Sequence, residues 1–368
     1  MQKILIVGGS HSELSLVQEA KKLGLYTITV GNILGNAHLE ADEYHLLDYS
    51  DKESILEFAK QNSIDHICFG AHDLSMTTTS YVAQHLNFDI YDNYETTLNL
   101  HHKDRFKAIS QQHSINTPKS ISITLDDNIS DISKLKMPLI IKPVDMGGGK
   151  GITVITDTKQ LTKAINDAFS YSKIKKVIIE EFFEGSLHSL STWIVDKKVV
   201  FHHTDDEFEC PNNPYGVCIS LAPASNFGLI KGKLINEVEK ISNVFKLKNG
   251  LLHIQYLQNK DDFTIVECTR RMPGDLYNIP VEMKTTFPYA KNIILNAIEQ
   301  KPILTYETNH KIVSRYCVID SYPNSIEPYI VDRVQIKNAN KKEILFLEFK
   351  SKKDFFATQT KLNMGGFD

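Results

Sequence analysis

The chain has 368 residues, of which 42% are hydrophobic and 23% are charged, and its formal net charge is −4. This profile is typical of a globular protein with two or three domains of roughly 150 residues each. The 41 Lys and Arg residues do not exceed the 45 Asp and Glu residues, so there is no basic surplus for a nucleic-acid backbone, and any anionic ligand requires a local site.

Residues 1 to 92 alternate short apolar runs with amphipathic stretches. Strands are predicted at Lys3–Val7, Tyr26–Val30 and Ile64–Phe69. Ser10 with Glu13, and Ser50 with Glu53, have the spacing of capping boxes at the start of two helices. Strands that alternate with helices predict a parallel sheet covered by helices, so this region is α/β.

A helix is predicted from Thr96 to Ser114, and from Lys119 the pattern changes to strand pairs separated by turns. The strands are predicted at Leu139–Lys142, Gly151–Thr156, Lys176–Phe182, Ser189–Val195 and Lys198–His203. This antiparallel-rich α+β region extends to about residue 303. The last segment, 304 to 368, is mixed and charged, and the sequence assigns no elements to it.

The cysteines are widely spaced, odd in number and without a CxxC motif: Cys68, Cys210, Cys218, Cys268 and Cys317. This pattern argues against a disulfide framework or a structural zinc site. The N-terminal run lacks the features of a signal peptide, and no apolar run approaches the ~20 residues of a membrane span. We therefore expect reduced thiols in a cytoplasmic protein that does not enter a membrane.

A candidate phosphate site follows a predicted strand that ends near Lys142. The loop after this strand contains Gly147, Gly148, Gly149, Lys150 and Gly151. Glycines allow backbone N–H groups to approach phosphate oxygens, and the lysine adds a positive charge. The alternative interpretation is a flexible hairpin. The loop is not a GxxxxGK[ST] motif, and Gly8-Gly9 does not form the GxGxxG motif of a nicotinamide-binding domain.

A candidate metal site lies on two later strands joined by a polar turn. Side chains alternate along a strand, so Glu267 and Thr269 share one face, and Gln255 can lie near them on the partner strand. Such oxygen ligands suit Mg²⁺ or Mn²⁺, with phosphates and water completing the coordination. The alternative is an exposed strand face, where Glu and Thr are common.

Together and in this order, the two segments resemble the ATP-grasp superfamily over nearly all of residues 1 to 303. The resemblance implies a Rossmann-like domain at 1–92, which helps bind substrate, and a two-lobed ATP-grasp domain at 93–303. The central lid lobe, the C-terminal lobe and a small segment packed on the ATP-grasp domain are expected at about 118–183, 184–303 and 304–368.

The resemblance also implies the residues that bind ATP. Lys103 and Lys142 would contact phosphate, and the glycine loop would fold over the triphosphate. Glu180 would bind the adenine amino group, while the backbone of Glu181, Phe182 and Phe183 would hold the ring. Arg271 would contact the transferred phosphate.

Four positions near these motifs bear on the resemblance. Leu187 stands where the family often has a Glu for the ribose, and the next residue, His188, matches a His of biotin carboxylase-like members. Gln255 has a counterpart in the large chain of carbamoyl-phosphate synthetase. Thr269 replaces an Asn, which leaves Glu267 as the one acidic ligand and leaves a second metal ion open.

Met272 to Asp275 resembles the Arg-x-Gly-Gly-Asp segment of L-amino acid ligase-like members. The resemblance therefore implies a ligase that uses ATP to activate a small-molecule carboxylate as an acyl phosphate and joins it to an amine. Arg270, Arg271 and Asp275 are expected to contact these substrates, and His202 to Glu207 is interpreted as a polar loop. Members of the superfamily are often dimers, which allows a homodimer here.

Three other functions fit parts of the sequence. The acyl phosphate could be carboxyphosphate in a carboxylase-type subunit, which predicts ADP release that depends on bicarbonate. The chain could be a nucleotide-binding module without catalysis, which predicts ATP binding without turnover. A nicotinamide dehydrogenase built on residues 1 to 92 predicts NAD binding.

Overall fold

A computed structural model of the chain describes residues 1–127, 129–146, 149–210, 213–318, 322, 324–337 and 343–364. The N-terminal strands are β1 (Lys3–Val7), β2 (Tyr26–Gly31), β3 (Glu43–Leu46) and β4 (His66–Phe69). The helices between and after them are α1 (Leu14–Lys22), α2 (Asn36–Glu40), α3 (Lys52–Gln61) and α4 (Asp73–His85). The strands form a parallel sheet in the order β3-β2-β1-β4, which confirms the predicted parallel sheet.

The two predicted capping boxes are wrong as helix starts. The N–H and hydroxyl of Ser10 both donate to the Glu13 carboxylate, at 2.8 and 2.7 Å, but α1 begins only after Glu13. Glu13 also accepts the N–H of Ala71 at 2.7 Å, so it joins the loop after β1 to the loop after β4. The cap of α3 is Asp51, which accepts the N–H of Ser54 at 3.2 Å.

The middle of the chain forms a small antiparallel sheet in the order β5-β8-β6-β7, preceded by two helices. The elements are α5 (Tyr94–His101), α6 (Lys103–Gln112), β5 (Ser120–Thr124), β6 (Leu139–Pro143), β7 (Thr153–Ile155), α7 (Leu161–Tyr171) and β8 (Lys176–Glu181). Short 3-10 segments occupy Ile129–Lys134 and Thr158–Gln160. The stretch predicted as helical from Thr96 to Ser114 forms two helices, because the backbone is extended at His102 (φ −83°, ψ 117°) and separates α5 from α6.

The remaining strands are β9 (Ser186–Val195), β10 (Lys198–Cys210), β11 (Asn213–Ala222), β12 (Gly250–Asn259), β13 (Asp262–Thr269), β14 (Ile312–Val318), β15 (Ile330–Gln335) and β16 (Glu343–Phe349). The helices are α8 (Phe227–Val244), α9 (Asn278–Lys284), α10 (Tyr289–Ala297) and α11 (Lys352–Met364), with a 3-10 segment at Asn324–Tyr329. The strands form a large antiparallel sheet in the order β13-β12-β9-β10-β11-β14-β16-β15. The segment after residue 303 thus extends this sheet.

One face of the large sheet is apolar and covered by α8. Leu190 of β9 and Ile254 of β12 pack there with Leu234 and Val238 of α8. Side chains alternate along a strand, so the neighbouring residues Ser189 and Gln255 point to the opposite face, named here the site face. His202 to Glu207, predicted as a polar loop, lies within β10, and that prediction was wrong because these polar side chains belong to a buried strand.

The thiol prediction is wrong for two of the cysteines. Cys210 and Cys218 form a disulfide between β10 and β11, with Cα atoms 5.0 Å apart. Pairing within a hairpin depends on strand register, which cysteine spacing alone does not determine. Cys68, Cys268 and Cys317 are free and buried. Among the described residues, no helix combines the length and apolarity needed to cross a bilayer.

Candidate active site

A cluster of lysines surrounds a buried carboxylate on the small sheet. Glu180, near the end of β8, lies beside β6, where its register partner is Ile140. The Nζ of Lys142 donates to Oε2 of Glu180 at 2.7 Å. The Nζ of Lys107, on α6, lies 3.7 Å from Oε1. Two predicted residues, Lys142 and Glu180, are therefore in direct contact, and a third residue joins them.

The charges in this lysine cluster are coupled. Burial opposes ionisation of Glu180, but Lys107, Lys142 and Lys103 hold the pKa of this carboxyl below its ordinary value. Burial lowers the pKa of Lys107 to about 8, although Glu180 acts in the opposite direction. Lys107 was not among the residues predicted from the sequence. Its spacing of four residues from Lys103 puts both on one face of a helix, and that was the available signal.

The described end of the glycine loop, Gly149 to Gly151, lies between the small sheet and the β10–β11 hairpin. The Nζ of Lys103 donates to the carbonyl of Met146 at 2.7 Å, just before this loop. Gly149 has φ +77°, and a Cβ there would lie 2.6 Å from atoms of both Asn213 and Tyr215, so the close approach requires glycine. Gly151 likewise has a positive φ, +71°, whereas the predicted Gly147 and Gly148 lie outside the described residues.

The predicted adenine segment follows β8 without interruption. The N–H groups of Glu181 and Phe182 donate to the carbonyls of Lys119 and Pro138, each at 2.9 Å. The Phe182 ring is exposed and the Phe183 ring is half-buried. The backbone of this segment is therefore anchored to the strand and loop on either side, with aromatic surface beside it.

Oxygen-bearing side chains gather on the site face of the large sheet. Gln255 of β12 is the register partner of Glu267 of β13, as the sequence predicts. The Nε2 of Gln255 donates to Oε2 of Glu207 at 2.6 Å. Burial raises the pKa of Glu207 to about 7, and the carboxylates of Asp205 and Glu267 add to the effect of burial, whereas Arg315 opposes it.

This donor set fits a divalent cation. Carboxylate and amide oxygens are the ligands that Mg²⁺ prefers, and a cation would relieve the repulsion between Glu207 and Glu267. Within the described ranges, no three His, Cys, Asp or Glu side chains are arranged to hold a metal by themselves. Phosphates and water would therefore supply the other ligands, as is usual for Mg²⁺ in nucleotide sites.

Thr269 and Arg271 contact the N-terminal part of the chain. The Nε of Arg271 lies 2.8 Å from Oδ1 of Asp73, the first residue of α4. The same oxygen lies 3.1 Å from Nδ1 of His101 and 3.5 Å from the Thr269 hydroxyl. Thr269 also accepts the N–H of Arg271 at 3.3 Å. In this structure Thr269 therefore orients the arginine, and Asp73 is a further site residue that the sequence did not indicate.

Arg270 points away from this cluster, which corrects the expectation that it contacts substrate. Its guanidinium is buried, lies 2.8 Å from Asp92 and donates to the carbonyls of Leu251 and Lys248. The physical reason is alternation, because consecutive residues at the end of β13 point in opposite directions. Of the two adjacent arginines, Arg271 is the one beside Thr269 and Asp73.

The predicted substrate residue Asp275 also meets the N-terminal part. Its N–H donates to the Ser12 hydroxyl at 3.2 Å, and its carboxylate lies 3.3 Å from Nε2 of His11. Asp275 has φ +58°, an unusual backbone conformation for a residue with a side chain and one that is enriched at functional sites. Arg315 of β14, buried and unrecognised from sequence, donates to the carbonyl of Gly274 at 3.1 Å.

His188, which the resemblance implies at the nucleotide, lies on the face of the large sheet opposite the predicted metal ligands. It precedes Ser189 on β9, so it points to the α8 side of the sheet, where its ring stacks on Tyr256. Its Nδ1 lies 3.0 Å from Asp206, and its Nε2 lies 2.6 Å from the Ser186 hydroxyl. These contacts give His188 a buried structural environment on the face opposite Gln255 and Glu267.

Comparison with known proteins adds an independent line of evidence. The family model described as "Carbamoyl-phosphate synthase L chain, ATP binding domain" matches residues 102–286. The carbamoyl phosphate synthase large chain of Clostridium beijerinckii is 19% identical over 298 residues, which cover 73% of this chain and 27% of that protein. The chain thus matches only about a quarter of that relative's length.

Solved structures share the fold over nearly the whole chain. The L-amino acid ligase from Bacillus licheniformis has a TM-score of 0.79 at 17% identity, covering 99% of this chain and 97% of that one. The N5-carboxyaminoimidazole synthetase from Staphylococcus aureus, complexed with ADP, has a TM-score of 0.76 at 15% identity, covering 97% and 96%. At these identities the similarity shows the fold alone.

Proposed function

The chain belongs to the family of the carbamoyl-phosphate synthase L chain ATP-binding domain, and from this premise we propose that it is an ATP-dependent carboxylate–amine ligase. In the proposed reaction, a substrate carboxylate attacks the γ-phosphate of ATP and forms an acyl phosphate and ADP. The amine of a second small molecule then attacks the acyl carbon, forms an amide and releases phosphate.

The fold supports this proposal at the level of domains. We interpret the parallel sheet of residues 1–92 as the Rossmann-like domain that precedes an ATP-grasp fold. The small antiparallel sheet would be the lid lobe of the ATP-grasp domain, at about 118–183. The large sheet would be its C-terminal lobe, at about 184–303, with the strands after residue 303 completing it.

The observation that carries the proposal is the closeness of the lysine cluster to the oxygen-bearing strand. The Nζ of Lys107 lies 3.7 Å from Glu180 and donates to the carbonyl of Ile265 at 3.0 Å. Ile265 lies on β13, two residues before Glu267. One side chain thus bridges the two halves of the predicted nucleotide site, which supports a single cleft for the adenine and the phosphates.

Within that cleft, Lys103, Lys142 and the glycine loop would bind the phosphates. Lys142 is the more exposed of the two lysines at Glu180, with 12% of its side chain accessible compared with 1% for Lys107. It is therefore the lysine that can turn from Glu180 to a phosphate. Backbone N–H groups in the glycine loop would add donors that require no side chain.

Gln255 and Glu267 would hold Mg²⁺, with Glu207 beside them. When bound, the cation would neutralise charge on the ATP phosphates. Arg271 would stabilise the charge that spreads over the transferred phosphoryl oxygens, because its guanidinium presents several donors in a fixed plane. Contact with Asp73 and Thr269 would keep this guanidinium oriented before the phosphate arrives.

The substrates would bind between the site face and the loop after β1. Asp275, touched by His11 and Ser12, offers a carboxylate for an ammonium group, and Arg315 lies nearby on β14. The glycine loop, whose Gly149 packs on the β10–β11 hairpin, would exclude water, which would otherwise hydrolyse the acyl phosphate. ADP release measured with a panel of amino acids and small carboxylates, with bicarbonate included, would identify the two substrates.

Glu267→Gln tests the proposed metal site. The substitution removes the charge of the ligand but keeps its size, so ADP release on an active substrate pair should fall by about 100-fold or more at ordinary Mg²⁺. Glu348→Gln on β16, where the residue pairs with Lys311 at the surface, is the matched control and should keep wild-type activity. Circular dichroism would verify that both variants are folded.

Three results would contradict parts of the proposal. Near wild-type activity of Glu267→Gln would remove this residue from the metal site. Tight ATP binding by the wild type without ADP release on any acid and amine pair would favour a nucleotide-binding module without catalysis. ADP release that requires bicarbonate alone would favour the carboxylase-type reaction.

A further inference from the structure

Lys107 is buried to a degree that is unusual for a lysine. It lies on α6, and only 1% of its side chain is accessible to solvent. An ammonium group removed from water requires partners of opposite charge or strong acceptors. Lys107 has one of each, the carboxylate of Glu180 at 3.7 Å and the carbonyl of Ile265 at 3.0 Å.

The two partners of Lys107 belong to different sheets. Glu180 lies on β8 of the small sheet, and Ile265 lies on β13 of the large sheet. The side chain thus links the strand that leads to the predicted adenine segment with the strand that carries Glu267. A packing role alone does not require a charged group at such a junction, because an apolar side chain of similar length would fill the same space.

Glu180 is shared between two ammonium groups of different accessibility. Lys142 makes the shorter contact, at 2.7 Å, and is the more exposed of the two. When Lys142 turns to a phosphate, Glu180 loses its nearer cation while it remains buried. An unpaired buried carboxylate is costly, so Glu180 would compete with the phosphate for Lys142 unless another cation stayed in place.

We propose that Lys107 is a positioning residue of the nucleotide site, which keeps Glu180 neutralised and so frees Lys142 to bind nucleotide phosphates. The proposal deepens the proposed function and rests on the nucleotide site described there. Lys107 itself does not touch the nucleotide. It acts through Glu180, and its contact with Ile265 holds it at the junction when Lys142 moves.

The proposal predicts a specific pattern of nucleotide affinities. Lys107→Met removes the charge and keeps most of the volume, so the Kd for MgADP should rise by about 10-fold or more, as for one lost charge-assisted contact. The Kd for adenosine, which has no phosphates, should change by less than about 3-fold. Isothermal titration calorimetry measures both values without any knowledge of the acid or the amine.

Combination with Glu180→Gln distinguishes this role from packing. A glutamine needs no neutralising partner, so Lys107→Met should change the Kd for MgADP by no more than about 2-fold when it is introduced into Glu180→Gln. Lys107→Arg, which keeps the charge, should retain most of the affinity. Lys284→Met is the matched control and should keep the wild-type affinity for MgADP. Lys284 is also a buried lysine, but its ammonium group donates to the main-chain carbonyls of Asn309 and Lys311.

Three results would overturn the proposal. These are an unchanged MgADP affinity in Lys107→Met, an equal loss of adenosine and MgADP affinity, and a loss that persists undiminished in the Glu180→Gln background. If Lys107→Met does not fold, the double variant compared with Glu180→Gln decides by the same criterion. Wild-type MgADP binding without ligase activity would contradict the ligase proposal only, whereas absence of MgADP binding would contradict both.

Discussion

Arg271 is held by side chains that are distant from it in the sequence. Asp73, almost 200 residues earlier, lies 2.8 Å from its Nε, and His101 lies on the other side of the same carboxylate oxygen. His101 Nε2 accepts the N–H of Arg270 at 3.1 Å, so its Nδ1 carries the proton that faces Asp73. The position of one guanidinium therefore depends on contacts from α4, α5 and the end of β13.

At the residue scale we predict that Arg271→Lys lowers ADP formation by about 100-fold, a loss comparable to that of one transition-state donor. Lysine keeps the charge but lacks the planar set of donors that contacts Asp73 and would contact the phosphoryl group. Steady-state measurement of ADP release checks this value. Arg105→Lys, at an exposed pair with Glu95, should behave like the wild type, and an active Arg271→Lys would exclude Arg271 from phosphate transfer.

At the scale of elements, side chains alternate along β9 and β10, so the two faces of the large sheet carry different carboxylates with different contacts. Asp205 and Glu207 point to the site face, whereas Asp206 points to the other face. There Asp206 contacts His188 at 3.0 Å, the N–H of Ser225 at 2.7 Å and the Nζ of Lys352, on α11, at 2.9 Å. Lys352 thus links the start of the last helix to the sheet, beside the apolar packing of Phe355.

This contact predicts a dependence of stability on pH. Burial opposes ionisation, but His188, Lys352 and Ser225 lower the pKa of Asp206 to about 2 from 3.8. A carboxyl with a depressed folded-state pKa stabilises the protein above the unfolded-state pKa, and this contribution is lost as the pH falls from about 4 through about 2. The contribution lost is about 2 kcal/mol.

Urea unfolding of the wild type and of Asp206→Asn, at intervals between pH 6 and pH 2, measures this contribution. The difference in unfolding free energy should be largest above pH 4 and should shrink by about 2 kcal/mol towards pH 2. Asp332→Asn, at an exposed position of β15, is the control and should differ little from the wild type. A difference for Asp206→Asn that does not change with pH would disprove the linkage.

At the scale of the whole molecule, the N-terminal part and the large sheet are joined by a buried ion pair. Arg270 and Asp92 are each no more than 5% exposed, and Arg270 also donates to main-chain carbonyls at the start of β12 and just before it. The other oxygen of Asp92 accepts the N–H of Lys248 at 2.6 Å. This junction keeps α4 and its Asp73 beside Arg271.

Removal of one partner of a buried pair leaves the other charge without compensation. Arg270→Met should therefore lower the free energy of unfolding by about 3–5 kcal/mol. Arg333→Met, which breaks an exposed pair with Glu327, should cost no more than about 1 kcal/mol. Chemical denaturation followed by circular dichroism compares the two, and equal losses would show that the Arg270 pair is not structurally important.

Short stretches of sequence were sufficient to predict the elements that depend mainly on neighbouring residues. Apolar runs predicted β1 and β2 to within a residue, and the lysine followed by glycines marked the end of β6 because a strand and a tight loop both depend on neighbouring residues. Gln255 lies beside Glu267, as expected, but a shift of register between Gln255 and Tyr256 brings them opposite each other, because the regular hairpin register would pair Gln255 with Val266. These patterns also carried the resemblance to the ATP-grasp superfamily.

Tertiary structure alone decided which other residues join the site. Lys107, Glu207, Arg315 and Asp73 come from four elements, and their meeting depends on the order and register of strands that are far apart in the sequence. Consecutive residues of an extended segment point in opposite directions, which is why Arg271 contacts Asp73 while Arg270 is buried against Asp92. Sequence by itself therefore predicted the kind of candidate site and its first residues, and packing between distant elements determined which other charged side chains lie beside them.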